Sequence, residues 1–419
     1  MLDVTLFWSI NFNICTLSII MKGNKMKQEI IENILKNHET PIYVFDIDKL
    51  KQRIKFLREN LTKRLELCYA IKANTFIVKE INDDVDRFEV CSPGEYSICE
   101  KSSITPEKIV ISGVYKTPSV IEYMITLNQK IGRYTVESLE QLKLLDELSK
   151  KYNVKLNVLL RLTSGNQFGI NEEDIEEAIA KKDSYTNLIF EGIQYFSGTQ
   201  KRTNKRLQKE IDYLDEFLAR LEEKYGFISK ELEFGTGFPV HYFQGEEFDE
   251  VEFLKEFSNG IDNMKYSGKI VIELGRSIAA SCGYYLTKVV DKKTNKCQNY
   301  AILDGGIHHL VYYGQTMAMK FPHLEIYPSR DNKSTQEWNL MGSLCTVNDI
   351  IIKQYPVSNL QVGDVFIFKN TGAYCMTEGI SLFLSRELPE VALLKGGELK
   401  LVRKAYKTYS LNQANYYIN

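Results

Sequence analysis

Between residues 46 and 283, short β-branched runs alternate with stretches of helical spacing, and this alternation most limits how the chain can fold. Strands are expected at 65–71, 88–91, 109–112, 133–136, 156–162, 190–196, 231–234 and 270–274. One helix opens near Asp46 or Asp48 with Leu50, Ile54, Leu57 and Leu61 on one face. Another starts about Asn204 with Leu207, Ile211, Leu214, Phe217 and Leu221 in register. Eight strands alternating with helices over about 240 residues predict an α/β fold, a (β/α)8 barrel of the TIM type. A doubly wound sheet is the alternative that pattern leaves open. After Gly283 strand-like runs dominate: "YYLTKVVD", "YAILDGG", "IIIKQYP", "DVFIFKN", "SLFLS" and "LKLVRK", with turns such as "QVGD" and "KGGE" between them. Residues 284–419 therefore read as a separate all-β domain, a sandwich or barrel. The run "PIYVFD" at 41–46 precedes the (β/α)8 barrel at 46–283 and is expected to join that domain.

A net charge of −2 and the lack of a long basic block give no support to a nucleic-acid or membrane-surface role. The eight cysteines are scattered and form no Cys-x-x-Cys pair, so neither a zinc site nor a disulfide framework is expected, and a reducing cytoplasm fits best. The first twenty residues look apolar but lack a basic first segment, carry Asp3, and are broken by Asn11 and Asn13. That broken run is short for a membrane span, which needs roughly 20 mostly apolar residues. Residues 1–25 read as a leader or a mis-assigned start, with Met26 opening a credible helix.

Chemistry collects at the ends of the expected barrel strands, where such barrels place their sites. Lys72 follows the first strand in "CYAIKAN". Glu89 and Ser92 end the second, Arg161 the fifth, and Phe196, Gly198 and Thr199 the sixth. Gly235-Thr236-Gly237 follows the seventh, and Glu273-Leu274-Gly275-Arg276 ends the eighth. A glycine-rich turn and an arginine suit a phosphate there. A lysine facing a phosphate pocket is the arrangement pyridoxal phosphate needs.

The ordered series "YAIKAN", "FEVCSPGE", "LLRL…QFGI", "GIQYFSGTQ", "FGTGFPV", "ELGRSIAA", "DGGIHH", "GSLCTVND" and "NTGAYC" resembles the alanine-racemase-fold decarboxylases, the group with diaminopimelate and ornithine decarboxylases. The resemblance runs from Pro41 to about Leu394. It implies that Lys72 is the Schiff-base lysine of a pyridoxal 5'-phosphate enzyme and that Glu273 faces the ring nitrogen. A carboxylate there favours the protonated ring, the better electron sink. Racemases of this fold place an arginine at that nitrogen, so Glu273 argues against the racemase or epimerase alternative. Retention of Lys72 and Arg276 argues against a non-catalytic binding protein. By the same resemblance Thr199, Gly235, Gly237, Gly275, Arg276 and Tyr374 belong to the cofactor site, with Glu89 and Arg161 supporting ring and lysine. Two departures stand out. Thr236 replaces a family glycine and is strained if that position needs positive φ. Phe196 replaces the histidine that stacks on the ring, so it supplies a ring face but no proton.

Cys345 matches the family cysteine that protonates the carbanion, which in family dimers enters the partner subunit's site. The resemblance thus implies a homodimer with shared active sites. Asp349 lies in the same loop, and Thr346 stands where diaminopimelate and ornithine enzymes carry an acid for the distal amine. "DGGIHHLVYYGQ" offers Tyr312 and Tyr313 where the diaminopimelate enzymes carry an arginine. Tyr312, Thr346, Asp349, Arg276 and Tyr374 are the expected substrate contacts. An uncompensated charged distal group binds poorly. An amino acid that is conjugated or carrier-tethered is therefore favoured over a free diamino acid. His308 and His309 lack metal partners at ligand spacing and read as pocket wall, with no metal site.

Overall fold

Asp46 ends strand β1 (Ile42–Asp46), and its side chain accepts a hydrogen bond from the Lys49 amide at 2.9 Å, which starts the helix Ile47–Asn60. Leu50, Ile54 and Leu57 form that helix's buried stripe. The computed structural model describes residues 26–127, 130–330 and 334–414. The reading of 1–25 as a leader lies outside them.

Eight parallel strands close into a barrel: β2 (Leu65–Ala70), β3 (Arg87–Val90), β4 (Ile109–Ile111), β5 (Arg133–Val136), β6 (Leu156–Leu162), β7 (Leu188–Phe196), β8 (Glu231–Gly235) and β9 (Lys269–Leu274). Closure is made by β9 beside β2, with Leu65 opposite Ile270 and Cys68 opposite Glu273. The eight expected strands are therefore present, each with its ends within two residues of the reading. The helix Asn204–Tyr225 buries Leu207, Ile211, Leu214, Phe217 and Leu221 and stops where Gly226 turns left-handed at φ 60°.

Side chains alternate across a strand, so Arg87 and Glu89 share a face of β3, as do Glu231 and Glu233 of β8. These residues line the barrel interior. Arg87 makes a two-pronged pair with Glu231, to which Arg133 adds a third contact at 3.1 Å. Charges this deep persist only when paired.

The remaining strands are β10 (Gly283–Asn295), β11 (Gln298–Leu303), β12 (Leu324–Tyr327), β13 (Gln336–Met341), β14 (Ile350–Val357), β15 (Val365–Lys369), β16 (Glu390–Lys395) and β17 (Glu398–Arg403). They form a sheet in the order β14-β13-β11-β10-β1-β16-β17, with β15 also on β10 and β12 on β15. Strand β1 sits inside this sheet, antiparallel to β10 and parallel to β16. "SLFLS" is a correction: it is a turn, not a strand, because Leu384 and Ser385 take left-handed backbone at φ 60° and 50°. Among the described residues no helix is long and apolar enough to cross a membrane.

Candidate active site

Strand β2 ends at Ala70, and the chain tightens into a 3₁₀ turn, Ile71–Ala73, at the C-terminal mouth of the barrel. Lys72 is placed there with Nζ 2.6 Å from Glu89 Oε2, 3.5 Å from Glu273 Oε1 and 3.6 Å from Cys91 Sγ. The Lys72 side chain is 38% exposed, against 2% for Glu89 and 8% for Glu273, so it is open to the cavity while its counter-ions lie beneath it. Burial alone would lower the Lys72 pKa; the carboxylates of Glu89 and Glu273 outweigh it and hold it well above the ordinary value. Glu89 feels burial too, but Lys72 and the hydrogen bonds around it draw its carboxyl down. Glu273 moves up, first through burial and then through the neighbouring Glu89. Gln194, fully buried, donates its Nε2 to Glu273 Oε2 at 3.3 Å. Glu233 is fully buried with neither carboxylate oxygen hydrogen-bonded, and burial with Glu273 and Glu231 nearby holds its carboxyl well above the usual range.

A cavity of about 290 Å³ opens above Lys72. Lys72 and Glu273 line it with Phe196, and Thr199, Gly237 and Arg276 line it as well. The Arg276 guanidinium lies over the rings of Tyr374 and Tyr313, at 4.5 and 4.7 Å, and its Nη1 donates to the Tyr242 hydroxyl at 3.1 Å. Its buried Nε has no partner, nor does the buried Thr236 hydroxyl at the neighbouring turn. Unpaired donors beside a cavity suit an anionic group. The turn is tight enough to serve one: Gly237 has φ +64°, and a Cβ there would meet the Gly198 carbonyl oxygen at 2.1 Å. Positive φ falls on Gly237 and not on Thr236, so the replaced glycine brings no backbone strain. An amine, a carboxylate, an aromatic wall and an anion cradle around one cavity fit pyridoxal phosphate.

Of the expected cofactor residues, Lys72, Phe196, Thr199, Gly237, Glu273, Gly275, Arg276 and Tyr374 line this one cavity. Gly235 lies just behind, where a Cβ would strike the Phe196 ring at 2.5 Å. Glu89 lies beneath Lys72. Arg161 is placed otherwise: it pairs with Glu137 at 2.9 Å and stacks on Phe168, outside the cavity lining. Tyr312 is also displaced from its expected role. It is buried on Tyr242 and Phe243 and donates to the Lys369 carbonyl at 2.6 Å, while the half-exposed Tyr313 lines the cavity. Asp349 is 1% exposed and accepts from the Ile307 and Leu344 amides at 2.8 and 2.7 Å, so it ties down the Cys345 loop and does not line the cavity. Cys345 and Thr346 sit on that loop, the thiol exposed, and neither lines the cavity of its own chain. Glu378, four residues after Tyr374, lines the cavity unforeseen; no motif flagged it, because its position follows from a turn.

His308 and His309 are corrected from pocket wall to domain core. Both are buried, their ring centroids 3.7 Å apart, and neither lines the cavity. His309 bridges the Tyr285 hydroxyl and the Glu387 carbonyl. Burial lowers His308 to about 4, with Arg386 adding to it; burial and then His308 lower His309 to about 3. Above about pH 6.5, the ordinary histidine value, both are neutral whether folded or not. Below it the unfolded chain takes up protons that the fold refuses, so stability falls as pH drops toward 4. His308→Gln is expected to flatten this loss, read as urea midpoints at pH 7 and pH 5. Equal slopes for variant and parent would show that the histidines do not carry it.

The family described as "Pyridoxal-dependent decarboxylase, pyridoxal binding domain" matches residues 47–280. The chain is 27% identical over 406 residues to an L-glutamyl-[BtrI acyl-carrier protein] decarboxylase of Niallia circulans, covering 90% of this chain and 94% of the relative. It is 26% identical to a 2-[(L-alanin-3-ylcarbamoyl)methyl]-2-hydroxybutanedioate decarboxylase of Staphylococcus aureus, covering 88% and 98%. Diaminopimelate decarboxylase from Helicobacter pylori, solved with L-lysine, shares the fold at a TM-score of 0.79 and 22% identity, covering 91% of this chain and 98% of that one.

Proposed function

The chain belongs to the pyridoxal-phosphate-dependent decarboxylases of the diaminopimelate and ornithine decarboxylase family, and on that premise we propose that it removes CO2 from an amino acid presented as a conjugate, in a dimer with shared sites. The observation that carries the assignment of Lys72 is its amine, held 2.6 Å from Glu89 under a cavity whose other groups suit a phosphate.

When bound, pyridoxal phosphate supplies an electron sink for the pair left at Cα as CO2 departs. The chain supplies the rest. Lys72 offers the amine, and Glu89 fixes it at the end of β2. Glu273 would be the carboxylate that favours a proton on the ring nitrogen, and Phe196 would supply an apolar face. Arg276, Thr199 and Gly237 would hold the phosphate, with Tyr374 stacked on the arginine.

The conjugate reading rests on what the walls lack. Thr346 is uncharged, Asp349 is committed to backbone amides, and Tyr313 stands near the place of a family arginine. Both relatives above act on amino-acid conjugates. Glu378 is the exposed acid among the lining residues, the one group suited to a distal amine. A CO2-release panel of free and conjugated amino acids tests the reading. Faster turnover of a free diamino acid, lost in Glu378→Gln, would overturn it.

The dimer reading rests on Cys345, which its own chain leaves outside the cavity. As proton donor it would serve the partner. Co-expressing Lys72→Ala with Cys345→Ala is then expected to restore up to about a quarter of parental activity: about half the dimers are mixed, with one intact site of two. Verified mixed dimers with no recovery would exclude the shared site.

A further inference from the structure

The anion cradle is built from two separate loops, and their joint is half-buried, with Lys201 at its buried end. Strand β7 leads into residues 196–203, which carry Thr199; β8 leads into residues 235–240, which carry Gly237. Three contacts tie them. The Lys201 amide donates to the Gly237 carbonyl at 2.9 Å. Gln200 Nε2 donates to the Val240 carbonyl at 3.0 Å, and the Val240 amide donates back to Gln200 Oε1 at 2.6 Å. Gly198 and Gly237 touch so closely that a side chain on Gly237 could not be admitted.

Lys201 does not point to water. Its side chain is 0% exposed, and its Nζ lies 2.5 Å from Glu210 Oε2, on the helix that follows the loop. The other Glu210 oxygen accepts from the Ser197 hydroxyl at 2.5 Å. One carboxylate thus holds both ends of the stretch Ser197–Lys201, with Thr199 between them. Arg206 reinforces the near end, donating Nη2 to the Ser197 carbonyl at 3.0 Å. A buried ion pair is a poor source of stability, since desolvation cancels most of its attraction; what it fixes is geometry. Here the geometry fixed is that of a loop whose other side faces the cavity.

We propose that the Lys201–Glu210 pair and the Gln200–Val240 clasp are a brace that sets the spacing of Thr199 and Gly237, and through it the affinity of the cavity for the phosphate group. None of these four residues lines the cavity, so all act as positioning residues. The proposal rests on the pyridoxal phosphate reading of the cavity.

The test is equilibrium binding of pyridoxal phosphate, and of pyridoxal without the phosphate, to full-length protein stripped of cofactor. Lys201→Met is expected to weaken pyridoxal phosphate roughly tenfold or more, the scale of one lost hydrogen bond to a charged group, and Gln200→Ala by less. Pyridoxal affinity should stay within about twofold, because a phosphate cradle does not touch it. General loosening of the fold would weaken both ligands together, and that result would overturn the brace. Lys201→Met leaves Glu210 buried without its main partner, so the fold itself is at risk. The paired change Lys201→Met with Glu210→Met removes both charges and carries the same expectation. Wild-type affinities in any folded brace variant would overturn the proposal. If the parent bound neither ligand, the cofactor reading itself would fall, and the brace with it; phosphate-selective binding by the parent and equal selectivity in the variants would remove the brace alone.

Discussion

Lys72→Ala is expected to fold, to lose the absorbance of lysine-bound pyridoxal phosphate, and to release no CO2 from any substrate. Among the described residues no other lysine lines the cavity, so none of them can take its place in bonding the cofactor. The substitution has a second consequence, since it leaves Glu89 and Glu273 facing each other without their cation. Two close carboxylates do not both stay ionised in a buried place, so a proton is taken up between them. The loss of activity could then be blamed on a rearranged floor. Lys72→Arg separates the causes. It keeps a cation between the carboxylates but cannot form the bond, and it should be equally inactive. Borohydride reduction of the parent, followed by peptide mapping, should put the pyridoxyl label on residues 68–74. A label elsewhere, or turnover by either variant, would sink the assignment.

The barrel was legible because its strands are buried on both faces and read as short apolar runs, each followed by an amphipathic helix. Lys72, Glu89, Glu273 and Arg276 were legible for the same reason: a polar residue just past an apolar run must sit at a strand end. The residues placed differently from expectation lie where no period exists. Tyr312 and Tyr313 are adjacent, and only the direction of the backbone in a loop decides which faces the cavity. Asp349 looks like a ligand until two backbone amides are found on it. Arg161 ends a barrel strand as expected, yet Glu137, one strand away, takes its guanidinium. "SLFLS" is a short apolar run like a strand's, but left-handed Leu384 and Ser385 break it. That the run at 41–46 joins the C-terminal sheet was legible, whereas its exact place between β10 and β16, more than 200 residues on, is not set by any local pattern.

Glu273→Gln should keep the cofactor bound and slow CO2 release by about 10²-fold or more, the range for removing a positioned acid–base group. The glutamine is nearly the same shape and can still meet Gln194, which lies 3.3 Å from the carboxylate. Lys72 keeps its nearer counter-ion, since Glu89 is at 2.6 Å and Glu273 at 3.5 Å. Cofactor attachment should therefore survive, and the change should fall on the step that needs electrons drawn into the ring. That step depends on a proton at the ring nitrogen, which a carboxylate favours and an amide does not. Two explanations of Glu273 thus predict different things. If it serves the ring, kcat falls while pyridoxal phosphate binds as before. If it is only a second counter-ion for Lys72, its removal lowers the lysine pKa and moves the pH at which the cofactor attaches, with CO2 release at saturating cofactor unchanged. Glu89→Gln is the companion, because it removes the nearer counter-ion, at 2.6 Å against 3.5 Å, and should shift attachment further than Glu273→Gln does. Single-turnover CO2 release, measured beside the pH dependence of cofactor absorbance, reads both quantities on the same samples. An unaltered rate constant in Glu273→Gln would leave Glu273 as a structural acid.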